Sequence, residues 1–220
     1  MKIYVVRHGE TENNRKGILQ GWLDASINDN GILLAELTGK ALKDVAFDVV
    51  FCSPLKRAKE TAEILLKENK VTSLTADDMI FDERIKEISF GDWEGMVVRG
   101  ENVNIPEMEY EFFLKDAYNF VGGPNGESIQ HLLDRTGDFY NDIISRPELA
   151  DKTILVSTHG CALRALLNQV YVDKTDYWHG KVPENCAVNI IEVEDGKGKL
   201  VGDDLTFYDK GLCVNIFNNG

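Results

Sequence analysis

The chain has 220 residues, 43% of them hydrophobic and 28% charged, the profile of a globular α/β domain with room for a modest insertion. Against 37 Asp and Glu stand 24 Lys and Arg, a formal net charge of −13, so the summed field repels nucleic acid and anionic membrane, and neither is expected as a partner. Disorder, collagen-like repetition and a disulfide scaffold are excluded as descriptions of the whole.

In chain order, a strand over 2–6 comes first, too short an apolar run for a signal peptide, and no later stretch approaches a membrane span; a cytoplasmic location is expected. Arg7-His8-Gly9-Glu10-Thr11 follows, with Asn14 just beyond. Leu34, Leu37, Thr38, Ala41, Leu42 and Val45 then recur with helical period. A second strand over 48–52 runs into Ser53-Pro54-Leu55-Lys56-Arg57, where Ser53 is expected to cap a helix whose inner face is Ala58, Ala62, Leu65 and Leu66. Residues 96–125, broken by Pro106 and Pro124 and carrying Tyr110, Phe112, Phe113, Tyr118 and Phe120 among acids, read as an irregular insertion over one end of the sheet. Ile129, Leu132, Leu133, Thr136, Phe139 or Tyr140, and Ile143 mark a helix of about 18 residues. A third strand over 153–157 ends at Thr158-His159-Gly160, where another helix begins. A fourth over 187–193 turns at Asp195-Gly196 into a hairpin.

Strands alternating with helices predict a three-layer α/β/α sandwich around a mostly parallel sheet, with the hairpin as its antiparallel edge, in a single domain over 1–220. Cys52, Cys161, Cys186 and Cys213 lack C-x-x-C spacing and read as free thiols. The ending Gly211-Leu212-Cys213-Val214-Asn215-Ile216-Phe217 is apolar enough for a final strand or a contact surface, such as a homodimer would use.

In open α/β sheets, ligands bind beyond the carboxyl ends of the strands. Those ends here gather Arg7, Arg57, His8 and His159. Arginine forks match phosphate or carboxylate oxygens, and backbone N–H groups where a helix begins at His159-Gly160 can also meet an anion. Two arginines, two imidazoles and a helix start make a pocket for a phosphoryl dianion, with one histidine left as nucleophile. His131 and His179 have no such company and read as helix surface and loop.

The opening Arg7-His8-Gly9-Glu10-Thr11 with Asn14 resembles the first motif of the histidine phosphatase superfamily, also called the phosphoglycerate mutase-like fold. Gln20-Gly21-Trp22-Leu23-Asp24 is similar to the family's following loop, and the run from Ser53 through Arg57 to Ala62 to its second arginine motif. Glu87-Ile88-Ser89-Phe90-Gly91-Asp92-Trp93-Glu94-Gly95 resembles its acid motif, and Ser157-Thr158-His159-Gly160 its second histidine. Five motifs in family order span most of the chain. The resemblance implies that His8 forms a phosphohistidine, that Arg7, Arg57, His159 and Asn14 grip the phosphoryl oxygens, and that Glu87 is the proton donor. It places Gln20, Gly21 and Gly160 around the substrate and requires neither metal nor cofactor. Without the flanking match Glu87 reads as a surface acid, and Glu10, Glu83 and Glu94 compete with it, Glu10 most strongly because it lies beside the nucleophile.

The family includes both hydrolases and mutases of phosphomonoesters. A mutase must hold a second anionic group, yet residues 96–125 carry only Arg99 and Lys115 against Glu101, Glu107, Glu109, Glu111 and Asp116, a local sum of −3. Together with Phe90-Gly91-Asp92-Trp93-Glu94-Gly95, this favours a phosphatase acting on a small metabolite, with a cofactor-dependent phosphoglycerate mutase as the alternative. A serine hydrolase lacks its G-x-S-x-G elbow. A phosphate-binding module that performs no chemistry would have no use for His8, His159 and Glu87 together.

Overall fold

The computed structural model describes residues 1–213. Its strands are β1 (Lys2–Arg7), β2 (Val49–Cys52), β3 (Met79–Phe81), β4 (Thr153–Thr158), β5 (Val188–Glu194) and β6 (Lys197–Leu205). Its α-helices are α1 (Glu12–Lys16), α2 (Asp29–Ala41), α3 (Lys56–Glu68), α4 (Glu107–Lys115), α5 (Ile129–Ser145) and α6 (Gly160–Leu167). The strands form one six-stranded sheet in the order β3-β2-β4-β1-β5-β6. β3, β2, β4 and β1 pair in parallel, while β5 pairs antiparallel with both β1 and β6, the mixed sheet with an antiparallel edge that the sequence predicts.

Alternation along β1 explains the layers. Ile3 and Val5 point to one face and pack with Phe139 and Ile143 of α5 and Leu163 and Leu166 of α6. Tyr4 and Val6 point to the other and pack with Ala58, Ala62 and Leu65 of α3. Each fully buried aliphatic side chain contributes roughly 1.5–3 kcal/mol, so both faces of the central strands are fixed by burial. Helix α5 begins at Ser128, whose hydroxyl accepts the His131 backbone N–H at 3.1 Å. The hairpin turns through Asp195 (φ 50°) and Gly196 (φ 72°), the left-handed pair that suits a two-residue turn between twisted strands.

The structure departs from the sequence expectations in three places. β3, three residues long, is too short for a periodic signal, and only its pairing with β2 defines it. The segment 96–125 is not irregular throughout, because Pro106 stands immediately before the first turn of α4 and does not break it. Tyr110 and Phe113 face inward from that helix into an aromatic cluster with Phe90, Trp93, Phe120 and Trp178. Ser53 does not cap α3; that position belongs to Leu55, which makes no side-chain cap bond. Cys52, Cys161, Cys186 and Cys213 are free thiols. The apolar ending beyond Cys213 lies outside the described residues. No helix among the described residues is long and apolar enough to cross a membrane.

Candidate active site

Sheet register brings the strand ends together. Arg7 pairs with Thr158 across β1 and β4, and Cys52 with Ser157 across β2 and β4, so His8, His159 and Ser53 leave the same edge of the sheet. The rings of His8 and His159 lie 5.2 Å apart, centroid to centroid. His8 is 2% exposed, and its Nδ1–H donates to the Gly9 carbonyl at 2.7 Å. A carbonyl can only accept, so the neutral ring keeps its lone pair at Nε2. Burial first, then the charges of Arg57 and Arg7, holds the His8 pKa well below the usual imidazole range. His159 is held low in the same way, by burial and then by Arg57. Its Nε2 shares a 2.7 Å hydrogen bond with Ser53 Oγ, the contact that takes Ser53 away from capping α3.

Both arginines are buried and aimed by backbone carbonyls. Arg7 Nη1 donates to Pro183 O, and Arg57 donates from Nη1 to Leu23 O at 2.8 Å and from Nη2 to Gly21 O at 2.7 Å. Burial pulls the Arg57 pKa down to about 10, with the Glu87 charge opposing, so it remains a cation at neutral pH. Arg7 Nε, Arg57 Nε and His159 Nδ1 are buried nitrogens without a hydrogen-bond partner among the described residues. Unpartnered buried polar atoms of this kind are costly unless a ligand meets them, and all three belong to the predicted phosphoryl grip.

The other predicted residues, Asn14, Gln20, Gly21 and Gly160, line the same cavity in different ways. Gly21 is left-handed (φ +52°), and a Cβ there would stand 2.3 Å from Glu94 Oε1, so its glycine is required by the close approach that delivers its carbonyl to Arg57. Gln20 Oε1 accepts from the Thr11 hydroxyl at 2.9 Å, and Asn14 Oδ1 accepts the Thr11 backbone N–H at 3.2 Å. Gly160 opens α6 beside Arg7, and a Cβ there would stand in ordinary contact with Arg7 Nε at 3.5 Å and Val182 at 3.4 Å.

Among the competing acids, Glu87 alone lines the cavity. Its carboxylate accepts the N–H groups of Cys161 at 3.2 Å and Ala162 at 3.0 Å, in the first turn of α6, so that helix start meets Glu87 as its anion. Glu10 Oε1 accepts from Asn28 Nδ2 at 2.9 Å, beside the cap of α2. Glu94 accepts the backbone N–H groups of Trp22 at 2.9 Å and Phe90 at 3.1 Å and ties two loops together. Glu83 is solvated and paired with Lys86 at 3.1 Å.

Two charged residues that sequence reasoning missed hold the segment carrying Glu87. Arg135 donates from Nη1 to the carbonyls of Arg84 and Lys86, both at 2.7 Å, and from Nη2 to Glu87 O at 2.9 Å. Its other edge grips Glu127 from Nε at 2.7 Å and Nη2 at 2.9 Å, and Glu127 in turn accepts the Ser89 N–H at 3.1 Å. No local pattern separates this pair from solvated charges on α5; the signal is burial, which sequence does not display. His131 is on the helix surface as expected, with its ring nitrogen 2.8 Å from Glu127.

A cavity opens above this floor, with Arg7, His8, Arg57 and Glu87 at its base. Its other walls are apolar: Ile18 and Leu19 after α1, Phe90, α4 through Tyr110, Phe113 and Leu114, and Trp178 and Val182 after α6. Among the described residues no group of three or more His, Cys, Asp and Glu is disposed to hold a metal ion.

The chain is similar to known proteins along most of its length. A protein of Schizosaccharomyces pombe named as a probable phosphatase is 31% identical over 211 residues, covering 91% of each chain. A 2,3-bisphosphoglycerate-dependent phosphoglycerate mutase of Cytophaga hutchinsonii is 33% identical over 168 residues, 75% of each chain. The solved structure of Bacillus stearothermophilus YhfR matches with a TM-score of 0.79 at 28% identity, covering 94% of this chain and 98% of that one. The sequence profile of the histidine phosphatase superfamily (branch 1) matches residues 3–204. A phosphoglycerate mutase-like sheet, a histidine pair at its strand ends and this span of similarity lead to one conclusion: the chain belongs to the histidine phosphatase superfamily.

Proposed function

We propose that this protein hydrolyses phosphomonoesters through a phosphohistidine at His8. The observation that carries the reading is the His8 tautomer: Nδ1–H is committed to the Gly9 carbonyl, and the lone pair of Nε2 belongs to a ring that lines the cavity with Arg7 and Arg57. Nε2 attacks phosphorus in line while the bond to the ester oxygen breaks. Arg7, Arg57 and His159 hold the non-bridging oxygens, where preorganised cations and donors stabilise the transition state most. Glu87, protonated in the substrate complex, gives its proton to the departing alkoxide. The resulting carboxylate takes a proton from water as that water attacks the phosphohistidine. Phosphate leaves, His8 is regenerated, and Glu87 again holds its proton.

Hydrolysis is favoured over mutase chemistry by the walls. Arg7 and Arg57 are the cations that line the cavity among the described residues, and both stand at the phosphoryl end. The mutase relative supports the alternative, and one experiment separates them. After brief exposure to substrate and quenching without acid, wild type should carry an acid-labile, base-stable phosphoryl label that His8→Ala lacks. With 3-phosphoglycerate and catalytic 2,3-bisphosphoglycerate, phosphate release should exceed isomerisation. Label surviving in His8→Ala removes the nucleophile assignment, and isomerisation faster than phosphate release on every monoester tested establishes the mutase.

A further inference from the structure

Phosphoryl binding uses the floor of the cavity at Arg7, His8 and Arg57, and the lining continues past them to Tyr110, Phe113, Leu114 and Trp178. What fills the remainder is decided by its walls. Phe113 is fixed from several sides, with ring centroids 5.4 Å from Phe90, 4.8 Å from Phe120 and 5.3 Å from Trp178. The Trp178 indole N–H donates to the Phe113 carbonyl at 3.3 Å, which consumes its polar group and locks its ring. This wall is rigid before any ligand arrives, so a ligand ring packed on it loses little to side-chain ordering.

One polar atom in that wall is uncommitted. Tyr110 is 6% exposed, and its hydroxyl is buried without a hydrogen-bond partner among the described residues. A buried hydroxyl in that condition is a standing cost that a ligand acceptor or donor relieves. Arg99 is close enough for its charge to act on the Tyr110 phenol, yet it is not part of the cavity wall. A carboxylate pressed against these aromatic rings would lose its hydration without a wall cation to replace it.

We infer that the apolar walls form a leaving-group subsite for an uncharged, ring-bearing alcohol, with the Tyr110 hydroxyl hydrogen-bonding one polar atom at its far end. Tyr110 is then a specificity-determining residue, and phosphomonoesters with a second anionic group are poor ligands. The inference deepens the hydrolase reading and rests on it for the word leaving group, but the subsite itself is a matter of binding and can be measured without turnover.

Non-hydrolysable phosphonates test it by calorimetry on the full chain. Benzylphosphonate should bind at least tenfold more tightly than methylphosphonate, and (4-hydroxybenzyl)phosphonate more tightly still. 2-Carboxyethylphosphonate should gain nothing over methylphosphonate. Tyr110→Phe removes one oxygen and keeps the ring, so it should retain the benzyl advantage and abolish the further gain from the 4-hydroxyl group. Phe113→Leu should shrink the benzyl advantage itself. A flat series, or 2-carboxyethylphosphonate binding as tightly as benzylphosphonate, overturns the subsite. If the phosphonates bind in the expected order while no ester releases phosphate, the subsite stands and the hydrolase reading falls.

Discussion

Arg7 is the last residue of β1, His8 and His159 follow directly on strands and Arg57 lies in the helical turn after one, whereas Tyr110, Phe113 and Trp178 reach the same cavity from segments outside the sheet. The first group is placed by backbone register and aimed by carbonyls, and little variation of its geometry is possible without moving the sheet. The second group is placed by side-chain packing among aromatic rings, which tolerates exchange of one apolar shape for another. Chemistry common to a superfamily belongs on the first kind of scaffold and discrimination among substrates on the second. Glu87 stands between the two: it lines the cavity, but its segment is held by α5 through Arg135 and by α6 through two N–H groups.

The largest effect expected at that junction is on the acid. Glu87→Gln preserves shape and removes a proton, so the phosphorylation step should slow by roughly 10²–10⁴-fold for alkyl phosphates, whose alkoxide leaves poorly. With p-nitrophenyl phosphate the burst of nitrophenol should be much less affected. Glu10→Gln should lack this pattern, since Glu10 is bonded to Asn28 and is absent from the cavity wall. The selective pattern appearing in Glu10→Gln instead would move the acid from the α6 start to the nucleophile's own loop.

Arg135 offers a smaller and more diagnostic change. Removing its guanidinium altogether would leave buried Glu127 without its cation, a loss on the order of 3–5 kcal/mol that endangers folding. Arg135→Lys keeps the charge and gives up the fork that spans three carbonyls and Glu127. kcat on alkyl phosphates should fall by about tenfold with KM nearly unchanged, and leaving-group sensitivity should rise as it does for Glu87→Gln. Placed on the Glu87→Gln background, Arg135→Lys should add nothing to that sensitivity. An additive effect would show that Arg135 acts on the fold and not on the position of the acid.

These contrasts also explain what could be read from the sequence. Residue type and spacing announced the floor, because a strand-helix alternation fixes which residues sit at the strand ends and an Arg or His there has few purposes. Register did the remainder: once β1, β4 and β2 are neighbours, His8, His159 and Ser53 must meet. The hydroxyl of Ser53 fits either a helix cap or an imidazole partner, and only the proximity of His159 decides between them. α4 was hidden because its inward stripe of Tyr110 and Phe113 is interleaved with acids and with outward Phe112 and Met108. Arg135 and Glu127 were hidden because burial of a charge pair is a property of the packed chain, not of either residue.

A modest effect distinguishes the floor by its dependence on pH. His8 and His159 are buried with pKa values held below the ordinary value of 6.5, so the unfolded chain binds protons below that pH which the native state refuses. Stability therefore falls as pH drops below about 6.5, by about 1 kcal/mol per pH unit for each imidazole until its native pKa is reached. Urea unfolding between pH 7.5 and 5.5 should show this slope, and His159→Gln should remove about half of the histidine contribution. A midpoint independent of pH over that range would mean that the native state admits the protons, and that the floor is less sealed than its burial indicates.

The smallest effect tests whether the support of Glu87 is internal. His131 and Arg135 both contact Glu127 Oε1, at 2.8 and 2.7 Å, but the His131 side chain is 69% exposed and that of Arg135 is 12% exposed. An exposed pair is screened and worth at most about 1 kcal/mol, whereas the guanidinium fork is shielded and shared with three carbonyls. His131→Ala leaves Glu127 paired with Arg135 and leaves the Ser128 cap of α5 intact, since that cap receives the backbone N–H of residue 131 and not its side chain. Turnover should stay within about twofold of wild type, leaving-group sensitivity should not change, and the urea midpoint should move by less than the stability change of Arg135→Lys. A rise in leaving-group sensitivity on losing His131 would extend the support of the acid to the solvent-facing side of α5, and the division between a packed interior that positions Glu87 and a surface that does not would have to be redrawn.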